Sequence, residues 1–255
     1  WHIALIVVGI IFVSLGAFHN NLWFDECYSA GLARHTFGEI WTIGGNDVHP
    51  ILYYWMLRIV YLLTGGSIMA YKIFSVIPIA IMIILGYTHI RKDFGEKTGF
   101  IFSFLCAFLP EMAQYAIEVR MYSWAILTVT VLAIYAYRLT KEDNTKDWII
   151  FGISSLMSIY LHYYGLMAAG LINVFLLIYL IVKKRKKGII FIVSMGIVQA
   201  VAYLPWLVNF ARQLGNVSSG YWIGFSFPQT PMELLSSQLA GYVRTSGYTG
   251  LLVPT

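Results

Sequence analysis

Charge is what this chain most lacks. Only 11% of its 255 residues are Asp, Glu, Lys or Arg, where a soluble domain carries about a quarter. With 59% hydrophobic residues and a mean hydropathy of +0.71, that scarcity excludes an ordinary soluble domain. Cysteine is nearly absent: Cys27 and Cys106 are too few for a disulfide framework. No solenoid-type repeat or low-complexity tract is present. Acids are scarcer than bases, and the net charge is +5. In so apolar a chain that excess reports membrane orientation, so membrane lipids are expected as partners and nucleic acid is not. No Met opens the chain at Trp1, and it stops in a polar stretch at Pro254-Thr255. Further helices are therefore expected beyond residue 255.

What is there in abundance is apolar sequence. Runs near 2–18, 68–90, 98–113, 121–138, 148–161, 166–182 and 189–210 predict an all-α, polytopic membrane protein with about seven transmembrane helices. Residues 51–63, ILYYWMLRIVYLL, are short and carry Arg58 mid-run, which suits an interfacial helix better than a span. Positive charge decides between the two topologies. If 51–63 does not cross, one face collects Arg91, Lys92 and Lys97, then Arg138, Lys141 and Lys146, then the cluster Lys183–Lys187. Those are eleven of the 17 Lys and Arg. The positive-inside rule makes that face cytoplasmic, with the N-terminus inside. The outer face then carries a first loop at 19–67, a turn near 111–121, HYYG at 162–165, and a tail from 211. Two regions follow: a membrane core, 1–210, and an outer-face segment, 211–255, rich in Gly, Ser, Thr, Pro and Gln with a short amphipathic helix.

The residues able to do chemistry gather on that outer face. Asp25 and Glu26 follow the first apolar run; being adjacent, they cannot both point into one cavity. One can act as general base on an acceptor hydroxyl, or Asp25 can simply cap a helix starting near Cys27. Glu118 and Arg120, in PEMAQYAIEVRMYSW, lie at the mouth of two spans. There an arginine can fork onto a phosphate or anchor the helix among lipid headgroups. His49 precedes Pro50 and is held extended; it and His162 could meet a phosphate, a carboxylate or a metal. Tyr53, Tyr54, Tyr122 and Tyr163 could line a sugar pocket or form an aromatic belt. Asp25, Glu118 and His49 are possible ligands for a divalent cation such as Mg or Mn, although no spacing specifies one. The triplet Asn216-Val217-Ser218 matches the glycosylation acceptor but is short enough to arise by chance.

An outer loop with Asp25-Glu26, a His49-Pro50-x-x-Tyr53-Tyr54 start to an interfacial helix, and a second outer loop QYAIEVRMYS together resemble the GT-C membrane glycosyltransferases. The similarity is to the group of the protein O-mannosyltransferases and the bacterial aminoarabinose transferase. It covers most of residues 1–210, including the short turn RKDFGEK, although Ile51 stands where a second proline is common. The resemblance implies a seven-helix core with interfacial helices in the first outer loop. It implies transfer of a sugar from a polyprenyl-phosphate carrier to a glycan, lipid or protein acceptor outside the cell membrane. Asp25 would be the catalytic base and Glu26 its companion acid, with Glu118 and Arg120 near the carrier phosphate. A flippase or small-solute transporter is the rival expectation, disfavoured because the spans carry almost no charge and the polar residues gather at the outer edge; a non-enzymatic scaffold is a second, and it leaves the first-loop acids without a purpose.

Overall fold

The computed structural model describes residues 1–220 and 231–232. Among them all regular structure is helical, with no strand. The helices are α1 His2–Ser14, α2 Phe24–Leu32, α3 Phe37–Gly44, α4 Leu52–Thr64, α5 Ile68–Leu85, α6 Arg91–Phe94 and α7 Glu96–Phe108. They continue with α8 Pro110–Ile117, α9 Tyr122–Lys141, α10 Thr145–Leu161, α11 Tyr163–Val182 and α12 Lys186–Gly220. A 3-10 turn, Leu15–Phe18, extends α1, and a π-helical turn, Gly86–Ile90, joins α5 to α6.

The protein is a membrane protein, but fewer helices than the seven expected have the length of a full span. Among the described residues, four helical stretches are long and apolar enough to cross a bilayer: Ile68–Phe94, Tyr122–Lys141, Tyr163–Val182 and Lys186–Asn216. A fifth exists if α7 and α8, bent by 59° where a single span was expected over 98–113, count as one. Pro110 is the cause, since its ring opens α8 and cannot continue α7. The 17-residue α10 reaches only about 25 Å, short of a hydrocarbon core of about 30 Å. The apolar stretch His2–Phe18 and α4, with 13 residues, are likewise short. Exposed apolar side chains such as Phe175 and Val208, each 68% accessible, are what a lipid-facing surface requires.

The chain forms two compact units. The first holds residues 1–27 and 64–123. Here α1 packs on α5, α7 and α8. The buried His2 fixes one end of that packing. Ser103 donates its hydroxyl proton to the Ile83 carbonyl at 2.7 Å and so accepts from His2 Nε2 at 2.8 Å. Gly95, at φ 93°, allows the sharp turn from α6 into α7. Beyond it α7 lies so close to the π-helical turn that a Cβ on Gly99 would fall 2.4 Å from the Gly86 carbonyl oxygen.

The second unit holds residues 28–63 and 124–220. Its α3 begins with a capping box: Thr36 Oγ1 accepts from Glu39 N–H while Glu39 Oε2 accepts from Thr36 N–H. The short α4 buries Tyr53, Tyr54 and Leu57. Its Arg58, puzzling in an apolar run, donates to the Ala33 and Arg34 carbonyls just past the end of α2. At the basic end, Arg185 bonds Asp143 at 2.8 Å and the Leu139 carbonyl at 2.6 Å, tying the α11–α12 turn to the end of α9. His162 stands extended between α10 and α11 and caps α11 by accepting from Tyr164 N–H at 3.1 Å. The last helix does not stop at Phe210: α12 runs on to Gly220. The rest of the expected outer segment, with its short amphipathic helix, lies outside the described residues.

Candidate functional site

The first group of site residues lies in the first unit. Trp23 sits just before α2, so Asp25 and Glu26 occupy its first turn, where the helix's positive end favours acids. Capping falls to Glu26 rather than Asp25. Its Oε2 accepts from Trp23 N–H at 2.9 Å, and its Oε1 accepts from Val119 N–H at 2.8 Å. Both carboxylate oxygens of the buried Glu26 are thus committed to backbone. Asp25 is half-buried on the neighbouring position. Arg120, 4% exposed, donates from Nη1 to the Asp25 carbonyl at 3.4 Å and places its guanidinium 6.0 Å from the Tyr122 ring centroid. One segment, 23–26, is therefore stitched to another, 118–122.

Glu118 is the electrostatic anomaly. It is buried, and burial pushes its pKa from 4.5 up to about 7. The Glu26 charge adds to that rise, as does Asp25; the Arg120 guanidinium and a Trp23 indole N–H pull the other way. Near neutral pH this carboxyl is on the edge of holding its proton. A second buried ion completes the group: Lys72 of α5, 3% exposed, donates from Nζ to Asn21 Oδ1 at 3.0 Å. It was not among the expected site residues, although a lysine four residues inside a long apolar helix is itself a signal.

The second group lies in the second unit. Tyr54 donates its hydroxyl to Asp47 Oδ2 at 2.8 Å, and His49 Nδ1 stands 3.6 Å from the same oxygen. Burial acts to raise the Asp47 pKa, yet hydrogen bonding and charge from His49, the Val48 N–H and the Tyr54 hydroxyl outweigh it and hold Asp47 low. The His49 and His162 rings lie 5.3 Å apart, and His162 stacks on Tyr164. Tyr53 and Tyr54, expected as sugar-pocket residues, are completely buried, so neither presents a ring face to a ligand. Tyr163 donates to Gln213 Oε1 and accepts from Trp206 Nε1 at 3.2 Å, while Gln213 Nε2 donates to the Gly44 carbonyl at 2.9 Å. The extension of α12 thereby holds the end of α3.

The expected residues thus fall into two sets. Asp25, Glu26, Glu118, Arg120 and Tyr122 gather in the first unit, and His49, Tyr53, Tyr54, His162 and Tyr163 in the second. For a divalent cation, the described residues gather no group of three His, Cys, Asp or Glu side chains. Asp47, Lys72 and Gln213 were not foreseen as site residues. Asp47 had a signal in the run Asp47-Val48-His49-Pro50; Gln213 had none, because its role depends on where α12 ends.

A chain of this composition, with acids and an arginine gathered at helix ends, invites comparison with known families. A family profile described as dolichyl-phosphate-mannose-protein mannosyltransferase matches residues 48–208, more than half of the chain. The chain belongs to that family. It is therefore a membrane glycosyltransferase of the GT-C type, as the sequence motifs led us to expect. The matched region of the mannosyltransferase family includes His49, Tyr53, Tyr54, Lys72, Glu118, Arg120, Tyr122, His162 and Tyr163; Asp25 and Glu26 precede it. Neither the curated proteins nor the solved structures gave a match.

Proposed function

We propose that the protein transfers a sugar from a polyprenyl-phosphate carrier to an acceptor hydroxyl, with inversion, on the extracytoplasmic side of the cell membrane. Seven crossings with the N-terminus in the cytoplasm complete this reading; the short helices α1 and α10 then cross a locally thinned bilayer. Asp25 takes the proton of the acceptor hydroxyl as its oxygen bonds to the anomeric carbon. The bond from that carbon to the phosphate oxygen breaks, and its electron pair leaves with the lipid phosphate. Arg120 offsets the charge that appears there, a preorganised cation in a site from which water is largely withdrawn. Glu26 positions Asp25 by accepting from the Trp23 N–H of its own segment and from the Val119 N–H of the 118–122 segment. Glu118 in its protonated form keeps a further negative charge away from the phosphate. A divalent cation, if used, would be held by Asp25, or by Glu118 only once ionised, and would add positive charge beside the phosphate.

The observation that carries this reading is the division of labour between two adjacent acids. Both oxygens of Glu26 are committed to backbone N–H groups, and half-buried Asp25 stands beside a buried arginine. The test is Asp25→Asn, assayed separately for transfer and for carrier binding. Loss of transfer with binding retained supports the base; loss of both marks Asp25 as a binding or folding residue.

A further inference from the structure

Lys72 is a buried cation whose hydrogen-bond partner is neutral. Its Nζ donates to Asn21 Oδ1 at 3.0 Å, and no acidic side chain pairs with it among the described residues. The side chain is 3% exposed, four residues inside the apolar stretch Ile68–Phe94. Buried charges are paired or bound to an ion, because leaving one alone in a low-dielectric interior is costly. Ionisable groups inside membrane helices face substrate paths for the same reason. Among the described residues, then, no anion is supplied to this cation.

Position indicates which anion. Asn21 and Asp25 belong to one short segment, and four residues of chain span at most about 14 Å. The far end of that segment is fixed to Arg120 and Val119. Charge indicates its state. A sugar joined to a lipid through a phosphodiester carries one negative charge, which Arg120 matches. Once the sugar leaves, the lipid phosphate is a monoester of about −1.5 to −2 at neutral pH. A second cation is then needed, and one engaged only as that charge develops accelerates the reaction instead of merely tightening donor binding.

We propose that Lys72, held by Asn21, is the second cation of the carrier-phosphate site and receives the charge that the lipid phosphate gains as the sugar departs. This rests on the transferase reading above. A phosphate monoester could also be free inorganic phosphate, and an anionic headgroup could come from ordinary phospholipid; the experiment separates these.

The protein, Lys72→Gln, Lys72→Arg and Asn21→Asp are compared in phosphatidylcholine nanodiscs. Equilibrium binding of polyprenyl phosphate, which needs no turnover, is measured beside kcat, the donor KM and the melting temperature. Lys72→Gln keeps a donor for Asn21 but loses the charge. It lowers kcat by about 100-fold, the scale of removing one transition-state donor, with little change in donor KM. It also weakens polyprenyl phosphate binding by at least about tenfold, and Lys72→Arg restores most of both. Asn21→Asp supplies the missing counter-charge, so it raises the melting temperature while weakening polyprenyl phosphate binding. A merely structural lysine would not give those opposite signs. Unchanged polyprenyl phosphate binding in both Lys72→Gln and Asn21→Asp overturns the proposal; if Lys72→Gln does not fold, Asn21→Asp alone decides. Lys72-dependent binding of inorganic phosphate or phosphatidylglycerol as tight as that of polyprenyl phosphate overturns the carrier assignment. Absence of turnover with any donor, with Lys72-dependent polyprenyl phosphate binding intact, sinks the transferase reading and leaves the subsite standing.

Discussion

Replacing Glu118 by Gln should stabilise the protein above neutral pH and leave it little changed in mild acid. Burial and the neighbouring carboxylates move the Glu118 pKa from 4.5 to about 7. Ionising it therefore costs about 3 kcal/mol more in the folded protein than in the unfolded chain. The sign follows from proton counts. Below pH 4.5 both states hold the proton. Between 4.5 and 7 the folded state keeps a proton that the unfolded chain has released, so stability falls as pH rises. Above 7 the whole penalty is present. Gln keeps the shape and removes the titration. In nanodiscs, melting temperatures of the two proteins should differ by a few degrees at pH 5, and by about 6–12 °C at pH 8 in favour of the variant. The donor KM should also rise above pH 7 in the parent protein only, as the newly ionised carboxylate repels the donor phosphate. A difference in melting temperature that stays constant from pH 5 to 8 would refute the reasoning.

Three further substitutions probe the packing that holds the site. Glu26→Gln points an amide NH2 at one of two backbone N–H groups, Trp23 or Val119. One stays unsatisfied at a cost of about 1–3 kcal/mol, seen as a lower melting temperature, and an unchanged value would deny Glu26 its positioning role. Gly99→Ala drives a Cβ to within 2.4 Å of the Gly86 carbonyl oxygen, and the overpacking should cost about 1–3 kcal/mol; thermal unfolding reads it. Gln213→Leu strips partners from the Gly44 carbonyl and the Tyr163 hydroxyl, so amide exchange should quicken at the end of α3 and the start of α11. Unaltered exchange there would detach the α12 extension from that role.

The apolar runs made the helices legible, because a stretch like IFSVIPIAIMIIL in α5 has few folded alternatives in a membrane. The order of the motifs, Asp25-Glu26 then His49-Pro50 then Glu118–Arg120, was enough to point to the family. What sequence could not give was length and direction. Whether 98–113 is one span depends on how sharply Pro110 turns the chain, and α12 outlasts its apolar run because Gln213 and Arg212 find partners at Gly44 and Asn46. The adjacent acids were legible as unequal, but which one caps α2 depended on where that helix begins. With α2 starting at Phe24, Glu26 is the acid that reaches back to the Trp23 N–H. Burial was invisible as well. Tyr53 and Tyr54, which could have lined a sugar pocket, are core, and Lys72 is enclosed.

The central claim is that this chain moves a sugar from a polyprenyl phosphate with Asp25 as the base. The direct test presents the protein in nanodiscs with a panel of polyprenyl-phosphate sugars, with and without EDTA, beside Asp25→Asn. The account predicts turnover of at least one donor, abolished in Asp25→Asn while polyprenyl phosphate still binds; the EDTA arm decides whether a metal takes part. Turnover that survives in Asp25→Asn, or a panel in which no donor is bound or consumed, would contradict it.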